Sequence, residues 1–423
     1  LNIEIINTGT ELLLGRVLNT HQQWLCRRLA DQGYQVNRQI AIPDSGQAIQ
    51  DAVNESLQRA DVVISTGGLG PTSDDLTRDF IAALLDRDLQ VDPAVLAHIE
   101  QFFATRHRPM PARAKVQALI PAGAIVLPNA HGTAPGLVIE VEPKKSGRES
   151  TQLLVMLPGP SRELCPMFTD QVLPLLEKKF PLAQAFACRT LKTTGLGESL
   201  VEERIASALK ELAAVGLEVG YCARVGEVDV RLVFHGNGAS EKVAEAERIV
   251  RQLLAEFIFG AGDDQLEQII VQLLTKRQQT LSLAESCTGG FVANRLTNVP
   301  GASAVFLSSF VTYSNQAKRN FLGVSEKVLT DHGAVSEATA KEMAEGARLR
   351  TGSTYALSVT GIAGPSGGAE AKPVGTVFIG LTDAKETIVR HYLNRYDRET
   401  FKYVTAQQAL DLLRRTLISY ETR

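Results

Sequence analysis

Leu281-Ser-Leu-Ala-Glu-Ser-Cys-Thr-Gly-Gly290 joins a short apolar run to a pair of glycines, and Val292, Leu296 and Val299 then recur at helical spacing. The pattern predicts a buried strand, a tight turn and the start of a helix, the unit from which a mostly parallel α/β sheet is built. It also places a hydroxyl (Ser286), a thiol (Cys287) and a second hydroxyl (Thr288) at the turn, the best candidate for a nucleophile in the chain. On this reading Ser286 stands on the first turn of the helix. Unpaired backbone N–H groups and the positive end of the helix dipole would there stabilise a developing oxyanion by about 3 to 4 kcal/mol per good donor.

A serine is a poor nucleophile at neutral pH, and no histidine lies near this stretch. Phe310-Val-Thr-Tyr-Ser-Asn-Gln-Ala-Lys318 offers Tyr313 and Lys318 instead. A lysine becomes a base when burial or a nearby cation lowers its pKa towards neutrality, and Tyr313 would then pass the proton. The same three residues equally suit a helix cap, a core aromatic and a solvated surface charge, so pattern alone leaves both readings open. Further on, Tyr355-Ala-Leu-Ser-Val-Thr360 reads as a buried strand running into Gly361-Ile-Ala-Gly-Pro-Ser-Gly-Gly368, and Val374 to Leu381 as another strand. A glycine-rich loop at a strand's end is where an open α/β sheet holds its ligand, although it is also what a loop needing positive dihedrals looks like.

Ala284-Glu-Ser-Cys-Thr-Gly-Gly290, Thr312-Tyr-Ser-Asn-Gln-Ala-Lys318, Gly333-Ala-Val-Ser336 and Thr360-Gly-Ile-Ala-Gly-Pro365 occur in an order and spacing that resemble the C-terminal domain of the CinA family, the nicotinamide mononucleotide deamidases. The resemblance implies a catalytic Ser286, Tyr313 and Lys318, acting without a cofactor. It also implies that Thr288, Gly289, Gly290, Thr360, Gly361, Ala363 and Gly364 hold the mononucleotide's phosphate or carboxamide. Cys287 is expected to be packing beside the nucleophile.

A chain of 423 residues is too long for one ordinary core and predicts about three domains. With 44% hydrophobic and 22% charged residues it has a globular composition, and a net charge of −3 gives no electrostatic case for nucleic acid as the main ligand. Cys26, Cys165, Cys188, Cys222 and Cys287 are scattered and contain no Cys-x-x-Cys pair, which argues against a disulfide framework or a structural zinc site. The histidines show no ligand spacing. Apolar patterning begins at Ile3 and no run reaches membrane-spanning length, so no signal peptide or transmembrane helix is expected, and the location expected is cytoplasmic.

Working outward to the start of the chain, Ile3-Glu-Ile-Ile6 reads as a strand, and a helix from about Asn19 has Leu25 and Leu29 inside and Gly33 at its end. A second unit has Ile49, Val53 and Leu57 on a helix and Asp61-Val-Val-Ile-Ser65 as a strand. This leads into Thr66-Gly-Gly-Leu-Gly-Pro-Thr-Ser-Asp-Asp-Leu-Thr-Arg-Asp79. The alternation predicts a mostly parallel sheet covered on both faces. Glycines there would let backbone N–H groups approach a phosphate, and Asp74, Asp75 and Asp79 offer oxygen ligands to a hard cation. A plain strand-to-helix loop with an acidic first turn has the same look. Neither Gly-x-Gly-x-x-Gly nor Gly-Lys-Ser/Thr is present, which excludes NAD binding and P-loop chemistry.

Gly9-Thr-Glu-Leu12 with Asn19, Thr66 to Asp79, Asn129-Ala-His-Gly-Thr-Ala-Pro-Gly136 and Leu157-Pro-Gly-Pro-Ser-Arg-Glu163 resemble the molybdopterin-binding fold, in the variant at the N-terminus of CinA proteins. That likeness implies an ADP-ribose pyrophosphatase needing a divalent metal (Mg, Mn or Co) on Glu11, Asp74 and Asp75. Thr10, Gly67, Gly68, Gly70, Thr72 and Asn129 would then face the nucleotide, though Asn129 and His131 also suit a turn. Pro143 to Ser150 reads as a hairpin tip.

Residues from about 183 to 260 read as Arg189–Thr194 strand, Glu198–Leu212 helix, Val228–Phe234 strand and Glu241–Phe257 helix. The family likeness implies a KH-like linker, but no Gly-x-x-Gly clamp is present, which disfavours RNA binding. Leu266, Ile269, Ile270 and Leu273 mark the helix that opens the last domain, and an amphipathic helix from Arg398 closes the chain against the sheet or a dimer partner. The expected architecture is therefore α/β: a molybdopterin-binding-like α/β domain at 1–180, a KH-like α+β linker at 181–260 and an α/β deamidase domain at 261–423. The expected function is pyridine nucleotide recycling by a homodimer. It would convert nicotinamide mononucleotide to nicotinate mononucleotide and ammonia, and ADP-ribose to AMP and ribose 5-phosphate. The competing reading is a nucleotide- or pterin-binding regulator or scaffold in competence or DNA recombination. Multiple turnover separates the two.

Overall fold

The first apolar runs become strands buried from end to end: β1 (Ile3–Thr8), β3 (Val62–Thr66) and β8 (Gln152–Leu157), with β2 (Val36–Ile42), β4 (Leu89–Val91), β5 (Leu119–Pro121), β6 (Ile125–Leu127) and β7 (Gly136–Val141) between them in sequence. The structure, a computed structural model, describes residues 1–143, 148 and 150–419, so most of the expected hairpin tip at 143–150 lies outside the described residues. The chain divides into two compact units, Leu1–Ala187 and Cys188–Arg423.

In the first unit the sheet order is β2-β1-β3-β8-β7-β6, and β4 pairs separately with β5. β1 runs parallel to β2 and β3, and β3 parallel to β8, while β7 is antiparallel to β8 and β6. Because side chains alternate along a strand, Ile3, Ile5, Val62, Ile64, Val155 and Leu157 fill one core while Ile6, Val63, Leu154 and Met156 fill the other. The expected double coverage of a mostly parallel sheet is thus what forms. The first long helix, Thr20–Asp31, is capped by Asn19, whose side chain accepts from the Gln22 N–H, and it buries Leu25 and Leu29. Gly33 follows at φ +82°, the left-handed conformation that lets the chain turn back towards β2.

The second unit holds two sheets. The smaller has the order β10-β11-β9-β12, from β9 (Phe186–Thr194), β10 (Glu218–Arg224), β11 (Glu227–His235) and β12 (Ile258–Ala261), with helices Glu198–Ala214 and Ala239–Leu254. The larger has the order β14-β13-β15-β16-β17, from β13 (Leu281–Glu285), β14 (Phe306–Val311), β15 (Tyr355–Gly361), β16 (Thr376–Thr382) and β17 (Thr387–Leu393). β13 is parallel to both β14 and β15, so the loops after Glu285, Val311 and Gly361 all leave the same end of the sheet. Leu281, Leu283, Leu357 and Val359 pack under helices Leu266–Arg277 and Arg398–Ser419, and Ala284 and Ala356 pack under Leu322, Met343 and Ala347 on the other face.

The closing helix packs on this sheet through Phe401, Leu410, Leu413 and Leu417. Its other side holds the smaller sheet: the Gln407 amide donates to Glu227 Oε1 at 3.0 Å and the Arg414 guanidinium to the Ile258 carbonyl at 3.1 Å. Among the described residues no helix is long and apolar enough to cross a membrane.

Candidate active site

β13 ends at Glu285, and Ser286 follows at the carboxyl edge of the parallel strands with its N–H donated to the Val359 carbonyl at 2.9 Å. The expected placement of Ser286 on the first helical turn is overturned. Residues 286–290 form a turn, Gly289 and Gly290 take φ of +61° and +92°, and the helix begins only at Phe291. The N–H groups expected to face an oxyanion are already taken. The Glu285 carboxylate accepts from Gly290 N at 3.0 Å, Val292 N at 3.1 Å and Ala293 N at 2.9 Å, and from the Ser309 hydroxyl at 3.2 Å. An anion at a helix start satisfies orphan donors and the dipole together. Glu285, only 1% exposed, was missed as a functional residue because its neighbours come from the following helix and from β14.

Lys318 lies on helix Asn315–Leu322, which Ser314 caps by accepting from the Ala317 N–H at 3.0 Å. It is 1% exposed, so the solvated-charge reading fails. Its Nζ stands 3.1 Å from Ser286 Oγ, donates to the Thr312 carbonyl at 2.8 Å and lies 3.5 Å from the Tyr313 carbonyl. Burial lowers the Lys318 pKa from the ordinary lysine value of 10.5. In this arrangement Nζ donates to the Ser286 hydroxyl as well as to the carbonyls, and it must hold a free lone pair before it can take the serine proton. Ser286 is itself 8% exposed, and Cys287 beside it belongs to the apolar core, its thiol pushed up to about 12 first of all by burial. A thiol that stays protonated is a packing group.

Tyr313 departs from both expectations. It is 63% exposed rather than a core aromatic, and its hydroxyl accepts from Arg398 Nη2 at 2.8 Å instead of joining the Ser286–Lys318 pair. Arg398 also donates from Nη1 to the Gly364 carbonyl at 2.9 Å, tying the start of the closing helix to two of the site's loops. No local pattern could have singled out Arg398, which lies 85 positions from Tyr313.

Other expected binders divide. Thr288 is fully buried with its hydroxyl unpartnered, and the Thr360 hydroxyl donates to the Ala334 carbonyl at 2.7 Å, so neither presents a free hydroxyl to a ligand. Gly361 ends β15 where a Cβ would meet the Thr376 carbonyl at 2.8 Å. Ala363 is buried, and Gly364 takes φ +75° beside the Ser286 end of the sheet. Thr66-Gly-Gly-Leu-Gly-Pro71 and Thr360-Gly-Ile-Ala-Gly-Pro365 look alike in sequence but differ in backbone. The first loop turns at Gly67 and Gly68, at φ +93° and +68°, and the second at Gly364.

In the first unit a cleft of about 560 Å³ is lined by Glu11, Asp44, Asp74 and Asp75, by Gly67 and Gly68, and by Ser161. Asp44 was not anticipated; it exchanges bonds with Thr10, accepting from its N–H at 2.8 Å and donating its own N–H to the hydroxyl at 3.2 Å. The expected ligand trio of Glu11, Asp74 and Asp75 is not drawn into a coordination set, and among the described residues no three such groups are. Asp74 and Asp75 bond the Thr72 hydroxyl, and Asp75 also accepts from the Thr72 N–H at 2.8 Å. The Thr72 bond holds the Asp74 carboxyl below its usual pKa. Thr72 and Gly70 therefore shape the acidic loop rather than line the cleft. Asn129 is likewise a turn clamp: its amide donates to the Ala134 carbonyl at 2.7 Å and to Glu163 at 2.8 Å, and its oxygen accepts from the His131 N–H. The turn reading of that stretch holds, and Asn129 lines a separate small cleft with Asp92, His98 and Thr133 rather than the acidic one.

The fold and the buried serine–lysine pair define a chain of three α/β-type domains with one preassembled site, an arrangement suited to an enzyme. Residues 4–178 match the probable molybdopterin binding domain, 188–260 the damage-inducible protein CinA KH domain and 263–417 the CinA C-terminal domain. A putative competence-damage inducible protein of Caldicellulosiruptor bescii is 43% identical over 422 residues, 99% of either chain. One so named in Moorella thermoacetica is 42% identical over 417 residues, 98% of either chain. The solved structure of competence/damage inducible protein CihA from Agrobacterium tumefaciens is 43% identical, covering 36% of this chain and 93% of that one, with a TM-score of 0.34. The chain belongs to the CinA family.

Proposed function

We propose that the C-terminal domain hydrolyses the carboxamide of nicotinamide mononucleotide, giving nicotinate mononucleotide and ammonia. The observation that carries this reading is the amine of Lys318, buried and 3.1 Å from Ser286 Oγ. Neutral Lys318 takes the serine proton as Oγ attacks the amide carbon, and returns it to the nitrogen as the C–N bond breaks and ammonia leaves. Water, deprotonated by the same amine, then attacks the acyl ester, freeing the carboxylate and regenerating the serine. The test is product identification with purified protein: nicotinate mononucleotide and ammonia in equal amounts from the wild type, none from Ser286→Ala. Activity retained in Ser286→Ala would end this reading.

A second reading concerns the N-terminal cleft, favoured by four carboxylates and a glycine turn lining one space. We propose hydrolysis of the ADP-ribose pyrophosphate there, giving AMP and ribose 5-phosphate. Glu11, Asp44, Asp74 and Asp75 are the oxygen donors of a kind that suits a hard, partly hydrated divalent cation. Such an ion would supply charge neutralisation on the phosphates and an activated water. The protein's own part is to bring the Gly67 and Gly68 backbone against the phosphates. Multiple turnovers of ADP-ribose in Mg²⁺ or Mn²⁺ distinguish this from a domain that only binds a nucleotide.

A further inference from the structure

From Leu12 to Leu18 the chain reads Leu-Leu-Leu-Gly-Arg-Val-Leu, five branched aliphatic side chains in seven residues. A run of that kind ordinarily enters a core, yet no residue of the short helix Thr10–Leu13 is buried, and Val17 and Leu18 are 53% and 85% exposed. The segment is held in shape by its backbone instead. Gly15 takes φ +65°, its N–H donates to the Leu12 carbonyl at 3.2 Å, and the Arg16 N–H donates to the Glu11 carbonyl at 3.0 Å, the paired bonds that close a helix. A contiguous apolar run that is ordered but uncovered, with polar groups at its edge, marks a place where something binds.

Leu12, Val17 and Leu18 line the acidic cleft of the first unit together with Pro160, so a ligand in that cleft reaches their exposed carbons directly; Leu13 and Leu14 lie outside it. The cleft therefore offers two chemistries within one space. Its carboxylates and the glycine turn suit phosphates carrying a divalent ion. Its aliphatic wall suits neither a phosphate nor a sugar hydroxyl, each of which would give up water against carbon and gain no partner. Of the parts of a nucleoside diphosphate derivative, only the base has broad apolar faces that gain by leaving water for such a wall. The Ser161 hydroxyl and the His21 ring nitrogen, 3.0 Å apart on the same cleft, supply polar groups for the edge of a base or for a ribose.

We propose that Leu12, Val17 and Leu18 form the seat of the purine ring, and that this seat makes the cleft selective for a nucleoside diphosphate derivative over a diphosphate that carries no base. The inference rests on the pyrophosphate reading of the cleft and names the residues that choose its substrate. Because the seat is built from side chains already exposed on an ordered turn, it needs no rearrangement of the core to receive the ring.

Calorimetric titration of the full chain in Mg²⁺ with α,β-methylene ADP-ribose, which resists cleavage, and with methylenediphosphonate, which has no base, reads the wall apart from the phosphate seat. Val17→Ser and Leu18→Ser together are expected to weaken the first ligand by about tenfold or more and the second by less than about twofold. Leu14→Ser, on the same turn but outside the cleft, is expected to change neither. In steady state the double variant should raise KM for ADP-ribose with kcat little changed, the sign of lost uniform binding. A wild type that binds both ligands while the double variant binds them equally well would overturn this inference alone, as would an equal loss for both ligands or a matching loss from Leu14→Ser. A sedimentation coefficient that falls in the double variant while its affinities stay the same would give the apolar run to a second copy of the chain and overturn the seat. A wild type that binds neither ligand would bring down the pyrophosphate reading and this inference with it.

Discussion

The serine–lysine site and the acidic cleft hold their polar groups in opposite ways. At the first, the Lys318 amine is enclosed, its partners are two carbonyls and a hydroxyl, and burial strips it of the solvent that would keep it charged. At the second, Asp74 is open to water and, with Asp75, settles on the nearest donor of its own loop, Thr72. Desolvation fixes geometry and protonation state together, whereas a solvated cluster is free to bond within its own loop.

The sharpest break between the two regions is a pair of substitutions at the first. Ser286→Ala is expected to lower kcat/KM for deamidation by about 10³-fold or more, since nothing else near Lys318 attacks the amide. Cys287→Ala should keep most of the activity, because its thiol stays protonated in the core. A dead Cys287 variant beside a live Ser286 variant would make the enzyme a thiol amidase.

A chelator divides the regions next. EDTA and Asp75→Asn are each expected to stop ADP-ribose hydrolysis while leaving deamidation intact, and Lys318→Met should do the converse. Both activities lost from either single change, in protein with a native circular dichroism spectrum, would show the two sites to be one coupled machine. Deamidation lost in EDTA and recovered on adding metal back would sink the lysine mechanism.

Where patterning reports on the chain's own neighbours, the sequence was readable. The buried runs Ile3–Ile6, Val62–Ser65 and Leu281–Glu285 are strands, Leu25 and Leu29 lie on a helix that Asn19 caps and that ends just before Gly33, and Ile49 to Leu57 lie on another. The strand Glu218–Arg224 escaped notice because it is mostly exposed, and its alternating Val219, Tyr221 and Ala223 are interrupted by Gly220 and Cys222 rather than by charged residues, which weakens the pattern. The site was half legible. Ser286 and Lys318 meet as expected, but the role of the 286–290 turn was misread, because a carboxylate adjacent to the nucleophile captures N–H groups that sequence spacing alone leaves unassigned. Tyr313 looked apolar-seeking and is instead held at the surface by Arg398, a contact set by the tertiary fold.

That capture gives a smaller prediction. Glu285→Gln replaces one of two acceptor oxygens with an NH₂ that faces N–H donors, so the turn loses at least one bond and gains a clash of like groups. A loss of about 1 to 3 kcal/mol in unfolding free energy is expected, with kcat lowered and KM little changed, because the turn presents the nucleophile. The shape of the pH profile should stay that of Lys318. An unchanged kcat in a destabilised protein would reduce Glu285 to a helix cap.

The smallest effect is on stability against pH. The folded-state pKa of Lys318 lies below its ordinary value, with burial the first cause, so between the lowered value and 10.5 the unfolded chain carries a proton on this lysine that the folded chain does not. Acid therefore favours the unfolded state across that window: stability rises with pH through it, by at most about 1.4 kcal/mol per pH unit from this one group. Below the lowered pKa both states are protonated and the penalty is complete. The same titration makes kcat/KM for deamidation climb with pH, since only the neutral amine can accept the serine proton. Lys318→Met removes the group, so urea unfolding of wild type and variant at a series of pH values should give free-energy curves whose difference changes only within that window. Parallel curves, together with an activity limb at the pH of an ordinary lysine, would mean that Lys318 is charged in the folded protein and that the mechanism needs another base.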